Sequence, residues 1–94
     1  MGFRVIEIQP TPNPNARKFV LDGSVSQQPI SFFNAEAAAN HALAARLFKI
    51  AGVTSLLLLG DFITINKSPE AAWADMIPQA KAVLAESAAA EQGS

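Results

Sequence analysis

Three features of this sequence predict an α+β fold, a two-layer sandwich in which a mainly antiparallel sheet with a central hairpin carries two or three helices on one face. Val53–Lys67 places two β-rich runs on either side of a two-residue Gly60-Asp61 connection. Two stretches, one after Asn34 and one after Ser68, repeat apolar residues at spacings of three and four, the period of an amphipathic helix. A chain of 94 residues has room for one core only, so the hairpin and the helices must bury their apolar faces against each other. Residues 1–84 are read as that single domain, and 85–94, AESAAAEQGS, as a disordered tail with no large apolar residue to hold it down.

Phe3–Gln9 reads as the first strand, ended by Pro10. The next segment, PTPNPNA, holds three prolines, each of which removes a backbone donor and pushes its predecessor toward extended geometry, so it is expected to be a stiff loop. Arg17–Leu21 forms a second strand, antiparallel to the first, with Phe19 and Leu21 on one face. Asp22-Gly23 turns the chain, and Ile30, Phe32 and Phe33 suggest a short edge strand. Asn34 is placed to cap a helix from about Ala35 to about Ile50, with Ala39, Leu43, Leu47 and Ile50 as its inner stripe and Gly52 ending it.

In the hairpin, Gly in the first central position suits a type II′ turn and fixes the pairing. Leu59 then stands opposite Phe62, Leu58 opposite Ile63, Leu57 opposite Thr64, Leu56 opposite Ile65 and Ser55 opposite Asn66. Alternation puts Leu56, Leu58, Ile63 and Ile65 on a core face. The other face carries Ser55, Leu57, Leu59, Phe62, Thr64 and Asn66, polar at its open end and apolar at its turn end. That apolar corner is either a contact surface or is covered by loops or chain ends. Ser68-Pro69-Glu70 signals a second helix start, followed by Trp73, Met76, Ile77, Ala80 and Leu84, with Pro78 expected to kink or break the helix.

The formal charge of −1 is made of scattered acids and bases, which leaves no electrostatic footprint for nucleic acid or an anionic membrane. No apolar run is long enough to span a bilayer, and the N-terminus lacks the pattern of a signal peptide, so a cytoplasmic, monomeric protein is expected. The absence of cysteine removes disulfides, thiolate nucleophiles and ordinary iron–sulfur ligation by this chain. His41, the single histidine, falls off the helix stripe and reads as an exposed or partly packed helix residue. The carboxylates are dispersed and no nucleophile elbow or phosphate loop is present, so neither catalysis nor a resident cofactor or metal is expected. The segment Thr11–Phe19 is open to two readings. It is either a rigid loop presenting Asn13, Asn15, Arg17 and Lys18 to a ligand, or a crossover that blocks the sheet edge.

Three separated motifs, TPNPNARKF at Thr11–Phe19, LAARLFKIAGVTSLLLLGDFITINK at Leu43–Lys67, and Trp73 leading into Met76-Ile77-Pro78, together resemble the N-terminal domain of the Nfu/NifU-related iron–sulfur cluster scaffold proteins. The resemblance spans Phe3 to Leu84 and implies a role in iron–sulfur cluster assembly or delivery. In that family the cluster is held by a CxxC motif in a separate C-terminal domain, so cluster binding transfers to no residue here. What transfers is the signature: Thr11, Pro12, Asn13, Pro14, Asn15, Lys18 and Phe19, then Gly52, Val53, Asp61, Phe62 and Thr64. The implied function is a non-catalytic interaction module whose protein partner is a CxxC scaffold or another assembly component. Its contact residues would be Asn13, Asn15, Lys18, Leu57, Leu59, Asp61, Phe62 and Thr64. The alternatives are a weak iron or metal binder using His41 and carboxylates, and a small-ligand binder at the proline-rich loop.

Overall fold

The computed structural model describes residues 3–92. Its elements follow as β1 (Val5–Pro10), β2 (Ala16–Leu21), β3 (Ser26–Phe32), α1 (Ala42–Phe48), β4 (Val53–Gly60), β5 (Phe62–Lys67) and α2 (Trp73–Gln92). The five strands form one sheet in the order β1-β2-β5-β4-β3, and every neighbouring pair is antiparallel.

The β4–β5 hairpin has the register its turn demands, with Leu59 opposite Phe62, Leu58 opposite Ile63, Leu57 opposite Thr64, Leu56 opposite Ile65 and Ser55 opposite Asn66. Gly60 has φ 59° while no residue other than glycine has positive φ, which is the sign pattern of a type II′ turn across Gly60 and Asp61. The turn also ties in its neighbours. Leu21 N–H donates to the Asp61 carbonyl at 2.7 Å and Val25 N–H donates to the Gly60 carbonyl at 2.7 Å. The ends of β2 and the start of β3 are thereby fixed to the centre of the sheet.

Both helices lie on one face. Leu43, Ala44 and Leu47 from α1 and Met76, Ala80 and Leu84 from α2 are buried with Phe19, Leu21, Phe32, Leu56, Leu58, Ile63 and Ile65 from the sheet. The two edges are blunted. β1 has a bulge between Val5 and Glu7 and ends on Pro10, whereas β3 carries Pro29 and an irregular register between Ser26 and Ile30.

Several boundaries differ from the sequence expectation. The edge strand is longer than Ile30–Phe33 suggested and begins at Ser26, because Ser26 reaches Gly60 across the sheet. The first helix is shorter: Asn34 Oδ1 accepts the Ala37 N–H at 2.7 Å as expected of a cap, but what it caps is a run of turns. Ala38, Ala39 and His41 bond back three residues, to Ala35, Glu36 and Ala38. Tighter turns shift the inward position from Ala39 to Ala38, which is fully buried. The α-helix itself starts at Ala42, and its N-cap is His41, whose Nδ1 accepts the Ala44 N–H at 3.2 Å. His41 also meets the Phe32 ring edge-on at 5.4 Å. It is therefore partly packed, as expected, with a capping role at the helix start in place of a mid-helix position.

α2 likewise starts later than Ser68-Pro69-Glu70 implied, since Ser68–Ala71 closes a separate turn and Ala72 provides the first helical carbonyl. Pro78 sits inside a continuous helix instead of breaking it. A proline ring pushes away the carbonyls one turn before it, and here the Gln79 side chain donates to the Asp75 carbonyl at 2.8 Å. Helical backbone runs through the segment 85–92. The last two residues of the expected tail, Gly93 and Ser94, lie outside the described residues.

Gly52 joins the two helical segments sterically as well as ending α1. At φ 101° it lies where side chains are strained, and a Cβ there would sit 2.6 Å from Ala71 Cβ and 3.3 Å from Met76 Sδ. Gly60 has space around it. Gly60→Ala is therefore expected to cost about 1 kcal/mol from backbone strain alone. Gly52→Ala should cost more, about 2–3 kcal/mol, because strain and overlap act together. Urea unfolding of the two variants checks the order, and equal losses would contradict it. His41→Ala should lose about 1 kcal/mol by the same measurement, while His41→Asn, another good cap, keeps most of it.

Candidate functional site

With both helices on one side, strand alternation defines what the other side presents. Lys18 and Val20 of β2 stand next to Thr64 and Phe62 of β5, which in turn stand next to Leu57 and Leu59 of β4. Glu7 and Gln9 of β1 complete the rows beside Val20 and Lys18. The middle row is polar from Gln9 to Thr64, whereas the row at the turn end runs Val20, Phe62, Leu59 and is apolar. Leu57, Leu59, Phe62 and Val20 are each partly buried by their neighbours, and none belongs to the buried core.

The bulge on β1 extends that row. Ile6 is the extra residue, so Ile6 and Glu7 together stand against Val20, and Ile6 is 59 % exposed and does not pack on the core. A line of apolar side chains thus crosses four strands, Ile6, Val20, Phe62, Leu59, with Leu57 behind it. Lys18 Nζ lies 4.2 Å from the centroid of the Phe62 ring, which sets a cation beside the middle of the row. Among the described residues no helix covers this face. Phe3, the first described residue, turns to the other side: its N–H donates to the Leu84 carbonyl at 2.9 Å and its side chain packs on the core.

The proline-rich loop lies at the opposite end of the sheet, because Ala16 pairs with Asn66 while Val20 pairs with Phe62. The residues expected to act together therefore fall into separate places. Leu57, Leu59, Phe62, Lys18 and Thr64 share the open face, Asp61 is at the turn tip, and Asn13 and Asn15 are a strand length away. The loop is stiff, as three prolines require, and it is held by its own polar groups. The Thr11 hydroxyl lies 2.8 Å from Asn13 O and 3.0 Å from Ala16 O, and accepts the Asn13 N–H at 3.1 Å. Asn13 Oδ1 accepts the Asn15 N–H at 2.9 Å, an Asx turn.

Two long-range bonds then fasten the loop to the start of α2 and the end of β5. Trp73 Nε1–H donates to the Pro14 carbonyl at 3.1 Å, and Lys67 Nζ donates to Asn15 Oδ1 at 3.1 Å and to the Ser68 carbonyl at 3.3 Å. The Trp73 ring rests against Phe19 with centroids 6.2 Å apart. Asn13 and Asn15 thus shape the loop first, whatever else they touch. Sequence alternation already sets Val20 beside Lys18, away from Phe19 and Leu21, but does not single it out as a contact residue; Ile6 on the open face, and Trp73 with Lys67 at the loop, were missed. The bulge leaves no local signal, and Pro14 and Trp73 meet across 59 residues of chain.

No three His, Asp or Glu side chains converge as a metal site among the described residues, and no helix there is long and apolar enough to cross a membrane. The fold and this surface define a class, a two-layer α+β domain with one helix-covered and one open sheet face. The particular family is set by sequence: residues 6–91 match the family described as scaffold protein Nfu/NifU N terminal, and the chain belongs to it. It is 36% identical over 84 residues to the NifU-like protein C1709.19c of Schizosaccharomyces pombe, covering 86% of this chain and 32% of that protein. It is 38% identical over 88 residues to the mitochondrial NFU1 iron-sulfur cluster scaffold homolog of Drosophila willistoni, covering 89% of this chain and 30% of that one. The solution structure of a NifU-like protein from Saccharomyces cerevisiae superposes with a TM-score of 0.75 at 33% identity, over 92% of this chain and 81% of that one. The chain thus spans about a third of the two curated relatives. Membership of this family links it to iron–sulfur cluster biology.

Trp73→Phe keeps the ring contact with Phe19 and deletes the bond to Pro14. It is expected to cost about 1 kcal/mol of stability and to speed amide exchange at Asn15 and Ala16. Exchange measured by NMR checks this, and unchanged loop protection would show that the indole bond does not hold the loop.

Proposed function

We propose that this domain is a non-catalytic protein-interaction module of iron–sulfur cluster assembly or delivery, acting in the cytoplasm, and that it docks a protein partner through the turn end of its open sheet face. The reading is carried by one observation, the apolar row Ile6, Val20, Phe62 and Leu59 that no helix covers, with Lys18 over Phe62. The row is spread across four strands rather than gathered into a cleft, and small ligands favour concave sites whereas protein partners seat aromatic and aliphatic side chains on such faces. Family membership supports the setting, and a domain without cysteine supplies no thiolate ligand of its own, so its part would be recognition rather than ligation of the cluster.

The partner favoured is a cysteine-bearing NifU-type scaffold domain. Of the two alternatives, the metal reading gains least, because His41 Nδ1 is committed to capping α1. The loop reading is weakened because the Asn13 and Asn15 side-chain oxygens already accept bonds from the chain itself.

Calorimetric titration of the purified domain with a purified CxxC-bearing scaffold domain tests the proposal. Leu59→Ser and Phe62→Ser, whose side chains lie off the core, should each weaken binding roughly tenfold or more, the scale of an interface anchor, while thermal unfolding stays close to the parent. Binding that ignores both substitutions, or no binding by the parent domain, would overturn it.

A further inference from the structure

The loop end of the sheet carries a second surface, of different chemistry and on the helix-side face. Arg17 stands opposite Ile65 on β5, and Lys67 is two residues further along β5, the same-face diagonal position. Both cations reach the same ring. The Arg17 guanidinium carbon lies 5.5 Å from the Trp73 centroid and Lys67 Nζ lies 5.8 Å from it. Two like charges side by side repel each other, and the usual remedy is a carboxylate between them. Here none of the described residues supplies one. Lys67 is held by neutral acceptors only, Asn15 Oδ1 and the Ser68 carbonyl. Arg17 makes no ion pair or side-chain hydrogen bond to any described residue, and its guanidinium lies over the indole face.

Lone aliphatic stems would suffice to shield the edge of a tryptophan. What the arrangement adds is order: Trp73 is pinned by Pro14, Lys67 by Asn15, and both by a loop closed on itself through Thr11 and Asn13. Two unpaired cations held on a fixed platform lose little freedom on meeting an anion, which is the condition for recognition at low entropic cost. The geometry points to a docking site for an acidic peptide segment, one whose Asp or Glu carboxylates bridge Arg17 and Lys67 while its backbone lies along the edge of Trp73. This site is independent of the open-face reading, since it lies at the other end and on the other side of the sheet.

Trp73 is the single tryptophan of the chain and stands within the site, so its fluorescence and its indole N–H signal report directly. The probe is an acetylated, amidated peptide of alternating Glu and Gly, with the matching Gln-Gly peptide as the neutral control. Saturable change in both Trp73 signals is expected for the Glu peptide only, weakening as salt is raised. Arg17→Gln and Lys67→Gln should each raise the dissociation constant roughly tenfold, and Lys81→Gln, an exposed cation on α2, should leave it unchanged. Because Lys67→Gln also removes the bond to Asn15, Arg17→Gln, which breaks no bond within the chain, is the decisive variant. No Trp73 response, an equal response to the neutral peptide, or an affinity untouched by Arg17→Gln would overturn the inference.

Discussion

The register of the β4–β5 hairpin is the constraint on which the remaining structure depends. Leu56, Leu58, Ile63 and Ile65 are all within 2 % of full burial. A slip of one residue would turn those four side chains to the open face and bring Ser55, Thr64 and Asn66 into the core. With each buried aliphatic side chain worth roughly 1.5–3 kcal/mol, exposing all four would forfeit about as much as a domain's whole stability margin, and the polar groups brought inward would add to that cost. Gly60 makes the register local by admitting the positive φ that closes the turn after two residues. The same turn's carbonyls then receive Leu21 and Val25, so the pairing of the middle strands positions the outer ones as well.

The open face is a consequence of that arithmetic rather than a separate feature. Five strands expose two faces, and both helices pack on one of them. Whatever alternates with the core residues must therefore appear on the other side, and in β2, β5 and β4 this includes Val20, Phe62, Leu57 and Leu59. A sheet intended only for water would carry polar residues there, as the same strands do at Ser55, Thr64 and Asn66. The apolar residues are confined to the turn end, and the bulge at Ile6 widens the patch by one strand. A bulge is also a guard against edge pairing, so the feature that discourages another strand from adding to β1 is the one that supplies an exposed isoleucine to the face.

Sequence reading recovered what is local and missed what is long-range. Turn chemistry at Gly60-Asp61 and strict alternation gave the hairpin to the residue, and the fold class followed from it. The expected helix from Ala35 failed because propensity and the Asn34 cap cannot tell an α-helix from a run of tighter turns. The choice was made by packing, where Ala38 meets the core and His41 both caps α1 and meets Phe32. The signature TPNPN was legible as stiff, but not as anchored, because its anchors Lys67 and Trp73 come from the far end of the chain. Its two asparagines look like ligand contacts in sequence for the reason they work inside the loop: a short carboxamide reaches backbone N–H groups and nearby ammoniums with equal ease.

The two surfaces inferred for this domain differ in chemistry, in face and in end of the sheet, and the sheet itself lies between them. An occupant of the apolar row would sit over the β2–β5–β4 turn end, whereas an acidic segment at Trp73 would sit over the loop and the start of α2. Neither blocks the other sterically. The link between them is β2, whose consecutive residues Arg17 and Lys18 point to opposite faces and place their charges on Trp73 and on Phe62 respectively. A domain that contributes no thiolate can still take part in handling a cluster if it holds two proteins in fixed relation, and a rigid sheet with a cation–aromatic pair on each face is suited to that task.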